Sequence, residues 1–336
     1  MKTRITTALI AGWLLSGLSA AEAPRQTPGG VRASHREVQP IGADGDAKMG
    51  RLTTLCTTPD DRLLACDGRA KVVKVFDLKG QLQATWPLPF APSAVCAAAD
   101  GTIYVGGVAK LAKLDGKGKL LKTADVEAEL VVSRAGRSDP RRRARFGRRP
   151  VGKASGMAAT AKELFVSFGA GWSLRSKDVI VRFDRDLGRG KQIASGLNGC
   201  CQRLDLTAID GVLYVAENTR YRVLRMDREG KVLGQWGKRD RRDIAAFGSC
   251  CNPMNLCVGP GKVIYTAESG LGRVKRYTPE GRFLGLVGEI GVTRFTRAGG
   301  LAASCSNIAV AASADGGRVF VQDVKTNAIR VLVADK

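Results

Sequence analysis

The segment GCCQRLDLTAIDGVLYVAENTRYRVLRMDREGKVLGQWG (199–237) is followed closely by a related one, SCCNPMNLCVGPGKVIYTAESGLGRVKRYTPEGRFLGLVG (249–288). Each begins with adjacent cysteines, passes through a short apolar run to a turn, and then reaches a tyrosine-centred run that ends in Ala-Glu. A basic run, a glycine turn and a fourth run complete each segment. Self-similarity at a period of about fifty residues indicates a repeat architecture, and each unit has the pattern of four short strands.

Six units of this kind align on their second predicted strand. The aligned runs are LLACD (63–67), IYVGG (103–107), LFVSF (164–168), LYVAE (213–217), IYTAE (264–268) and VFVQD (319–323). β-branched and aromatic residues are enriched in these runs, and Gly or Asp-Gly stands at the breaks, which favours short antiparallel strands over helices. The sequence therefore predicts an all-β fold, a six-bladed β-propeller of four-stranded antiparallel blades.

The last unit supplies only three predicted strands, at 307–312, 318–323 and 328–334. The leader, 24–48, is rich in Pro, Gly and charge, and its one extended piece, 36–41, is the candidate for the missing fourth strand. Pairing of the N-terminal strand with the last unit would close the ring and remove exposed sheet edges. Two separate β-sandwiches, the alternative architecture, would not explain a six-fold repeat.

The pattern Pro-x-x-Leu, Gly-x-x-Tyr-x-Ala-Glu, Arg-Val-x-Arg-Tyr and Glu-Gly resembles NHL-repeat β-propellers. The matching residues of the fifth unit are Pro253, Leu256, Tyr265, Ala267, Glu268, Arg273, Val274, Arg276, Tyr277 and Gly281. Those of the fourth unit are Leu206, Tyr214, Ala216, Glu217, Arg222, Val223, Arg225 and Gly230. The resemblance implies the architecture but no particular chemistry, because the fold carries binding modules and several unrelated enzymes.

The N-terminal segment MKTRITTALIAGWLLSGLSAAEA (1–23) has a charged start, a short apolar stretch and the small-x-small sequence Ala21-Glu22-Ala23. This is the pattern of a cleavable secretory signal, and the apolar stretch is short for a membrane anchor. We therefore expect a signal peptide at 1–23, the leader with its closing strand at 24–48 and the propeller at 49–336. The mature protein is expected to be exported, periplasmic or extracellular, with no transmembrane anchor.

The formal net charge of the chain is +23. Such a field attracts polyanions, and export disfavours nucleic acid as the partner, which leaves an acidic protein, an anionic glycan or a wall polymer. A generally basic surface that only keeps the protein soluble is the alternative. We expect a monomer.

The two faces of the predicted ring differ in composition. The turns between strands one and two and between strands three and four share one face, which we call the turn face, and they are short Asp/Gly/Pro turns. The links between blades and the turns between strands two and three share the other, which we call the link face. Its long segments are 133–153, with nine basic residues against the single acid Asp139, and then 169–178, 238–251 and 289–306. Long loops are commonly functional, and arginines suit phosphate, sulfate or carboxylate, although 133–153 also fits a solvated charge run.

Four units carry an acid at the end of the second strand: Asp67, Glu217, Glu268 and Asp323. We expect these carboxylates to hold the following turn or to pair with a nearby arginine, such as Arg222 or Arg273. The same two arginines, together with Arg294 and Arg297 of the 289–306 link, are the candidates for ligand contact on the basic face.

The nine cysteines fall into two groups. Cys56, Cys96 and Cys257 share one column of the first strand, where other units have Ala158, Thr207 and Ala309, and a thiol there acts as a small buried hydrophobe. Cys66, on a second strand, is expected to be similar.

The second group, Cys200, Cys201, Cys250, Cys251 and Cys305, lies just before the first strands of units four, five and six. Disulfides that staple these neighbouring units are the leading interpretation. The alternatives are a soft metal site for zinc or copper and a redox-active thiol, although the Cys-x-x-Cys spacing of zinc sites is absent. No other cofactor is expected.

Asp205, Asn255 and Asn307 share a column that should line the axial channel, where they could contact a ligand or ordered water. His35, the only histidine, lies in the leader, so histidine-based catalysis is poorly supported and no catalytic residue is assigned. The sequence favours an exported binding module that acts through a basic, loop-rich face. A propeller enzyme of lyase or hydrolase type and a thiol or metal site at the axial mouth are the alternatives.

Overall fold

Each predicted unit forms one antiparallel sheet of four strands in the computed structural model, which describes residues 30–131, 152–169, 178–200, 203–248, 251–290 and 308–335. The innermost strands of neighbouring sheets contact one another around a complete ring. The predicted all-β fold class, a six-bladed β-propeller, is therefore confirmed.

The first three blades follow the chain in order, from the innermost strand outward. Blade one contains β2 (Leu52–Thr57), β3 (Leu63–Asp67), β4 (Val72–Phe76) and β5 (Leu82–Pro87). Blade two contains β6 (Ala94–Ala97), β7 (Ile103–Gly106), β8 (Lys110–Leu114) and β9 (Leu120–Asp125). Blade three contains β10 (Ala154–Ala159), β11 (Glu163–Phe168), β12 (Asp178–Asp184) and β13 (Lys191–Leu197).

The other three blades include the strand that precedes all the rest. Blade four contains β14 (Asp205–Ile209), β15 (Val212–Glu217), β16 (Arg222–Met226) and β17 (Val232–Trp236). Blade five contains β18 (Asn255–Val258), β19 (Ile264–Glu268), β20 (Arg273–Tyr277) and β21 (Phe283–Glu289). Blade six contains β22 (Val310–Ala312), β23 (Arg318–Asp323), β24 (Ala328–Ala334) and, outermost, β1 (His35–Ile41).

The helices in the described part of the chain are single 3-10 turns of three or four residues. They lie at Gly45–Ala47, Ala128–Val131, Asn218–Arg220 and Pro260–Lys262. None of these described helices has the length or apolar character needed to cross a membrane.

The ring is closed by the leader, as predicted. β1 pairs antiparallel with β24, with His35 opposite Ala334. The ring nitrogen Nε2 of His35 donates a hydrogen bond to the carbonyl oxygen of Gly316, 2.9 Å away, and Arg330 forms an ion pair with Glu37. The only histidine of the chain therefore contributes to ring closure.

Polar side chains near the axis bridge each pair of neighbouring blades. From the first boundary to the last, the bridges are Thr53 Oγ1 to Pro92 O (2.9 Å), Ser93 Oγ to Ala154 O (2.7 Å), Ser155 Oγ to Leu204 O (3.1 Å), Leu256 N to Asp205 Oδ2 (2.7 Å), Val310 N to Asn255 Oδ1 (2.9 Å) and Gln322 Nε2 to Leu52 O (2.6 Å). Apolar side chains fill the space between the blades farther from the axis. The bridges satisfy backbone groups that would otherwise be buried without a partner.

The acids at the ends of the second strands act locally. Asp67 accepts backbone hydrogen bonds from Gly50, Arg51, Arg69 and Ala70 at 2.5 to 3.1 Å, and so ties the incoming link to the next turn. Burial acts to raise the pKa of Asp67, but these four N–H groups outweigh it and lower the pKa below the usual value.

The arginine partners expected for these acids are found in one blade and not in the other. Arg222 Nε donates to Glu217 Oε2 at 2.6 Å. Arg273 instead donates to Glu289 Oε1 at 2.7 Å, and Glu268 forms its ion pair with Lys275. Arg273 lies opposite Glu268 on one neighbouring strand and opposite Glu289 on the other. The buried Lys275, and not Arg273 as we expected, is the partner of Glu268.

The Glu268–Lys275 pair anchors a link that we call the strap, residues 238–248. Both side chains of the pair are fully buried. Lys275 Nζ also donates to the carbonyl oxygens of Ile244 (3.0 Å) and Ala246 (2.6 Å). Phe247, buried in the strap, stacks on Trp236 with ring centroids 6.2 Å apart. The strap is therefore held in a defined position on blade five.

Candidate functional site

A cavity of about 230 Å³ lies on the axis of the ring, lined by residues of all six innermost strands. Asp205 and Asn255, at its link-face end, are each only 7% exposed. The lining residues at the opposite end are partly exposed to solvent: Thr57, Ala97, Ala159 and Val258. Solvent thus reaches the described part of the cavity from the turn face, opposite the blade-to-blade links.

The column that holds Asp205 and Asn255 ends in blade six at Ala309. On the second strands, Ala216 lies opposite Asp205 and Ala267 lies opposite Asn255. The residue of blade six that corresponds to these two alanines is Gln322, and it is hydrogen-bonded to Ala309. The sequence alignment placed Asn307 in this column, which is a shift of two residues. Asn307 itself lies outside the described residues. The same shift makes Ala311, rather than Ala309, the blade-six counterpart of Cys257.

Asp205 is packed tightly at the floor of the cavity, by which we mean its link-face end. Its Oδ2 accepts the hydrogen bond from Leu256 N, and its Oδ1 lies so close to Gly156 that a Cβ on that glycine would approach it to 2.7 Å. Burial raises the pKa of Asp205 to about 7, although the Leu256 N–H and the nearby Arg203 guanidinium favour the ionised form. Asp205 therefore gives the cavity floor a carboxylic group with a pKa near neutrality.

Arg203 extends across the axis at the link-face end of the ring and is not one of the residues that line the cavity. It lies two residues before Asp205, so the two side chains share a face of the extended chain. Its Nη2 donates at 2.6 Å to the carbonyl oxygen of Thr53, in blade one on the opposite side of the ring. The side chain is 5% exposed, and Nε has no hydrogen-bond partner among the described residues. Burial lowers the pKa of Arg203, while Asp205 opposes that shift.

Three thiols form the middle of the cavity wall. Cys56, Cys96 and Cys257 line it, and their inner strands also pack against apolar residues between blades. Burial raises the pKa of Cys56 to about 12 and raises those of Cys96 and Cys257 as well. Cys66 is fully buried. Cys66 and Cys96 are thus small buried hydrophobes, as the sequence suggested, whereas Cys56 and Cys257 are half-buried.

We expect Cys56 to resist alkylation in the folded protein. With its pKa near 12, the thiolate fraction at pH 8 is about one in ten thousand, against about a quarter for an ordinary thiol, so iodoacetamide should react at least a thousandfold more slowly. The rate should rise tenfold per pH unit. Peptide mapping by mass spectrometry measures it, with protein in guanidinium as the control. Reaction of native Cys56 at the unfolded rate would contradict the raised pKa.

The cysteine pairs before blades four and five are described only in part. Cys200 N donates to Asn218 Oδ1 at 2.8 Å, and Cys251 is 6% exposed. Cys201, Cys250 and Cys305 lie outside the described residues. The expected disulfides, metal site or reactive thiol therefore stay predictions. Within the described ranges, no group of three or more His, Cys, Asp or Glu side chains is arranged to hold a metal ion.

The candidate arginines of the link face are placed as follows. Arg222 and Arg273 are engaged by Glu217 and Glu289, and Arg273 is only 9% exposed. Arg294 and Arg297 lie outside the described residues. A ligand-binding role for these four residues stays a prediction. Arg203 was missed by the sequence reasoning, and its spacing from Asp205 was the one signal that could have indicated it.

Comparison with known proteins supports the fold and leaves the activity open. No protein-family model and no curated protein matches the chain. Similar solved structures include the calcium-binding protein regucalcin from Agrobacterium tumefaciens (14% identity over 88% of this chain and 93% of that chain, TM-score 0.55). They also include luciferin-regenerating enzyme (12% identity over 89% of this chain and 96% of that chain, TM-score 0.57). A third is a streptogramin B lyase (13% identity over 91% of this chain and 97% of that chain, TM-score 0.51). At these identities the similarity shows only a shared six-bladed propeller fold.

Proposed function

We propose that this protein is an exported binding module whose basic link face docks a polyanion, either an acidic protein or an anionic glycan or wall polymer. The observation that carries the proposal is the net charge of +23, combined with the burial of link-face acids. Glu217 and Glu268 are fully buried and Asp67 is 1% exposed. Asp67 is used by backbone N–H groups and Glu268 by the buried Lys275, so these two carboxylates do little to neutralise the exposed arginines and lysines. Glu217, by contrast, pairs with Arg220 and Arg222.

The exposed side chains of the strap support this proposal. Lys238, Arg239, Arg241 and Arg242 are exposed, and Arg239 lies over the ring of Tyr221 at 5.1 Å. The hydrogen bonds from Lys275 of blade five to the strap, and the packing of Phe247 on Trp236 and Tyr277, hold the backbone beneath these side chains. A held backbone loses little conformational entropy when the arginines meet carboxylate, sulfate or phosphate groups.

An enzyme acting at the axial cavity is the second candidate. Its support is Asp205, whose pKa of about 7 suits acid–base chemistry, and the presence of enzymes among the similar structures. A histidine-to-alanine variant of virginiamycin B lyase from Staphylococcus aureus is catalytically inactive (12% identity, TM-score 0.52). The single histidine of this chain, His35, is instead hydrogen-bonded to Gly316 in the ring closure. The binding function therefore accounts better for the chain's residues.

The charge-dependent binding is testable on immobilised heparin and on immobilised polyglutamate. We expect retention at low salt and release as salt rises, because screening weakens contacts between exposed charges. Replacing Arg241 and Arg242 together by serine should lower the salt concentration of elution. Replacing Lys79 and Lys117, exposed on the turn face, removes the same charge and should have a smaller effect.

Two results would argue against the proposal. One is retention that does not change between low and high salt. The other is an equal shift for both double variants, which would indicate a general effect of net charge without a docking face. Stronger retention on polyglutamate would favour an acidic protein as the partner, and stronger retention on heparin would favour a glycan.

A further inference from the structure

The outermost strand of each blade is a sheet edge, because its sheet continues on one side only. Such edges invite pairing with other chains, and natural proteins protect them with charged residues, with proline or with a covering segment. Most of the outer strands described in this chain carry such a residue. The protecting residues are Pro40 in β1, Pro87 in β5, Lys122 in β9, Lys191 in β13 and Glu289 in β21.

Two of these edges are also contacted by other segments. The N–H group of Ser34, in the leader, donates to the carbonyl oxygen of Leu286 in β21 at 3.0 Å. The 3-10 turn Ala128–Val131 packs against β13, where Gln192 Nε2 donates to the carbonyl oxygen of Leu130 at 2.8 Å. Protection of the outer edge is therefore the usual arrangement in this ring.

β17 is the exception among the outer strands that the structure describes. Its sequence, Val-Leu-Gly-Gln-Trp, contains neither a charged residue nor a proline. Val232 is 51% exposed and Leu233 is 48% exposed, and they lie on opposite sides of the strand because side chains alternate. Gly234 has no side chain, and a Cβ at this position would meet nothing within 4 Å. A second backbone can therefore approach this edge closely.

Positive charge lies at both ends of β17. Four exposed cations that form no ion pair with a described residue flank the strand: Lys231 before it, and Arg239, Arg241 and Arg242 after it in the strap. A second copy of this chain would bring the same cations of two molecules together, and like charges repel. An extended segment with apolar residues between acidic ends is the complementary partner.

We propose that β17 is the docking edge for an extended acidic segment of a partner protein, which adds to blade four as a fifth strand. The main chain of the segment hydrogen-bonds to β17, and its apolar side chains pack on Val232 and Leu233. Its carboxylates meet Lys231 and the strap arginines. This docking mode rests on the proposed function, because it takes the acidic protein, and not a glycan, as the polyanion that is bound.

Isothermal titration calorimetry of the full mature chain with the peptide acetyl-EEVTVTVEE-amide at low salt tests the proposal. The control is the same peptide with every central Val and Thr N-methylated, which keeps the charges and side chains but cannot pair through its main chain. We expect the control to bind roughly tenfold more weakly or less, because the loss of one or two main-chain hydrogen bonds has this effect.

Matched variants locate the binding edge. Replacing Val232 and Leu233 together by serine should weaken binding of the unmodified peptide roughly tenfold, because their apolar contact with it is lost. Replacing Leu120 and Leu121 of β9, which are exposed to a similar degree, should leave the affinity unchanged. Hydrogen exchange measured by mass spectrometry requires no variant. The peptide should protect the amides of β17 and leave those of β9 unprotected.

The outcomes separate this docking mode from the proposed function. Equal affinity of the two peptides, or binding without protection of β17, would overturn the strand pairing. Salt-dependent retention on polyglutamate would then leave the proposed function standing. Retention on heparin with no binding of either peptide would overturn the strand pairing in favour of a glycan partner. Loss of retention on both matrices would remove the docking mode and the proposed function together.

Discussion

Glu268→Gln is expected to lower the free energy of unfolding by about 3–5 kcal/mol, the usual loss when one partner of a buried ion pair is removed. Lys275 is fully buried, and carbonyl oxygens of the strap only partly replace a carboxylate as its partners. Burial already lowers the pKa of Lys275, and without Glu268 only the weaker influence of Asp243 compensates for its ammonium group. Chemical denaturation monitored by tryptophan fluorescence would measure the change.

Glu217→Gln is the matched control. Glu217 is equally buried, but its partner Arg222 is 23% exposed and can be hydrated after the change. We expect a clearly smaller loss. Combining Glu268→Gln with Lys275→Met should recover much of the stability, because replacing a whole buried pair by apolar groups is often neutral. A loss below about 1 kcal/mol for Glu268→Gln alone would contradict the pairing.

Removing β1 is expected to abolish cooperative folding. A chain that starts at Gly42 leaves β24 as an open edge and deletes Ile41, which packs with Leu55, Leu63 and Phe76. The ladder and this apolar contact together should be worth most of the 5–15 kcal/mol by which domains are stable. An open edge also invites pairing between copies. Guanidinium unfolding and size-exclusion chromatography would report both effects.

A chain that starts at Ala33 keeps β1 and provides the control, which should unfold like the mature protein. Adding a synthetic peptide of residues 33–43 to the shortened chain should restore a cooperative transition. If the chain without β1 unfolded at the same denaturant concentration as the control, ring closure would contribute little and the expectation would be wrong.

The strands were predictable because the second strand of each blade is buried on both sides. β3 and β19 are buried at every position and therefore appear in the sequence as short, continuous apolar runs between turns. β23 and β24 match the predicted 318–323 and 328–334. The closing strand was predictable because the last unit lacked one. Local pattern was sufficient for these features.

The partners of charged groups were not predictable, because they depend on segments distant in the sequence. Glu268 and Arg273 lie opposite each other in the sheet just as Glu217 and Arg222 do. The difference is Lys275, at a position that Leu224 occupies in blade four, and its environment is supplied by the strap. A lysine within a buried strand was the available signal. The sequence gives almost no signal for Arg203, since one arginine among many basic residues cannot be recognised as buried from the sequence.

The order of synthesis gives the ring closure a further consequence. Glu37 and Arg330, joined across the β1–β24 pair, are 293 positions apart in the chain. The ribosome therefore makes the first strand of the propeller long before the partner that covers it. Contacts so distant in sequence form slowly, and until they form blade six lacks its outer strand. Chaperones that hold the nascent chain would therefore act on an unclosed ring with an unpaired strand edge at each end. Removing the terminal strand at either end would leave the ring unclosed in the same way.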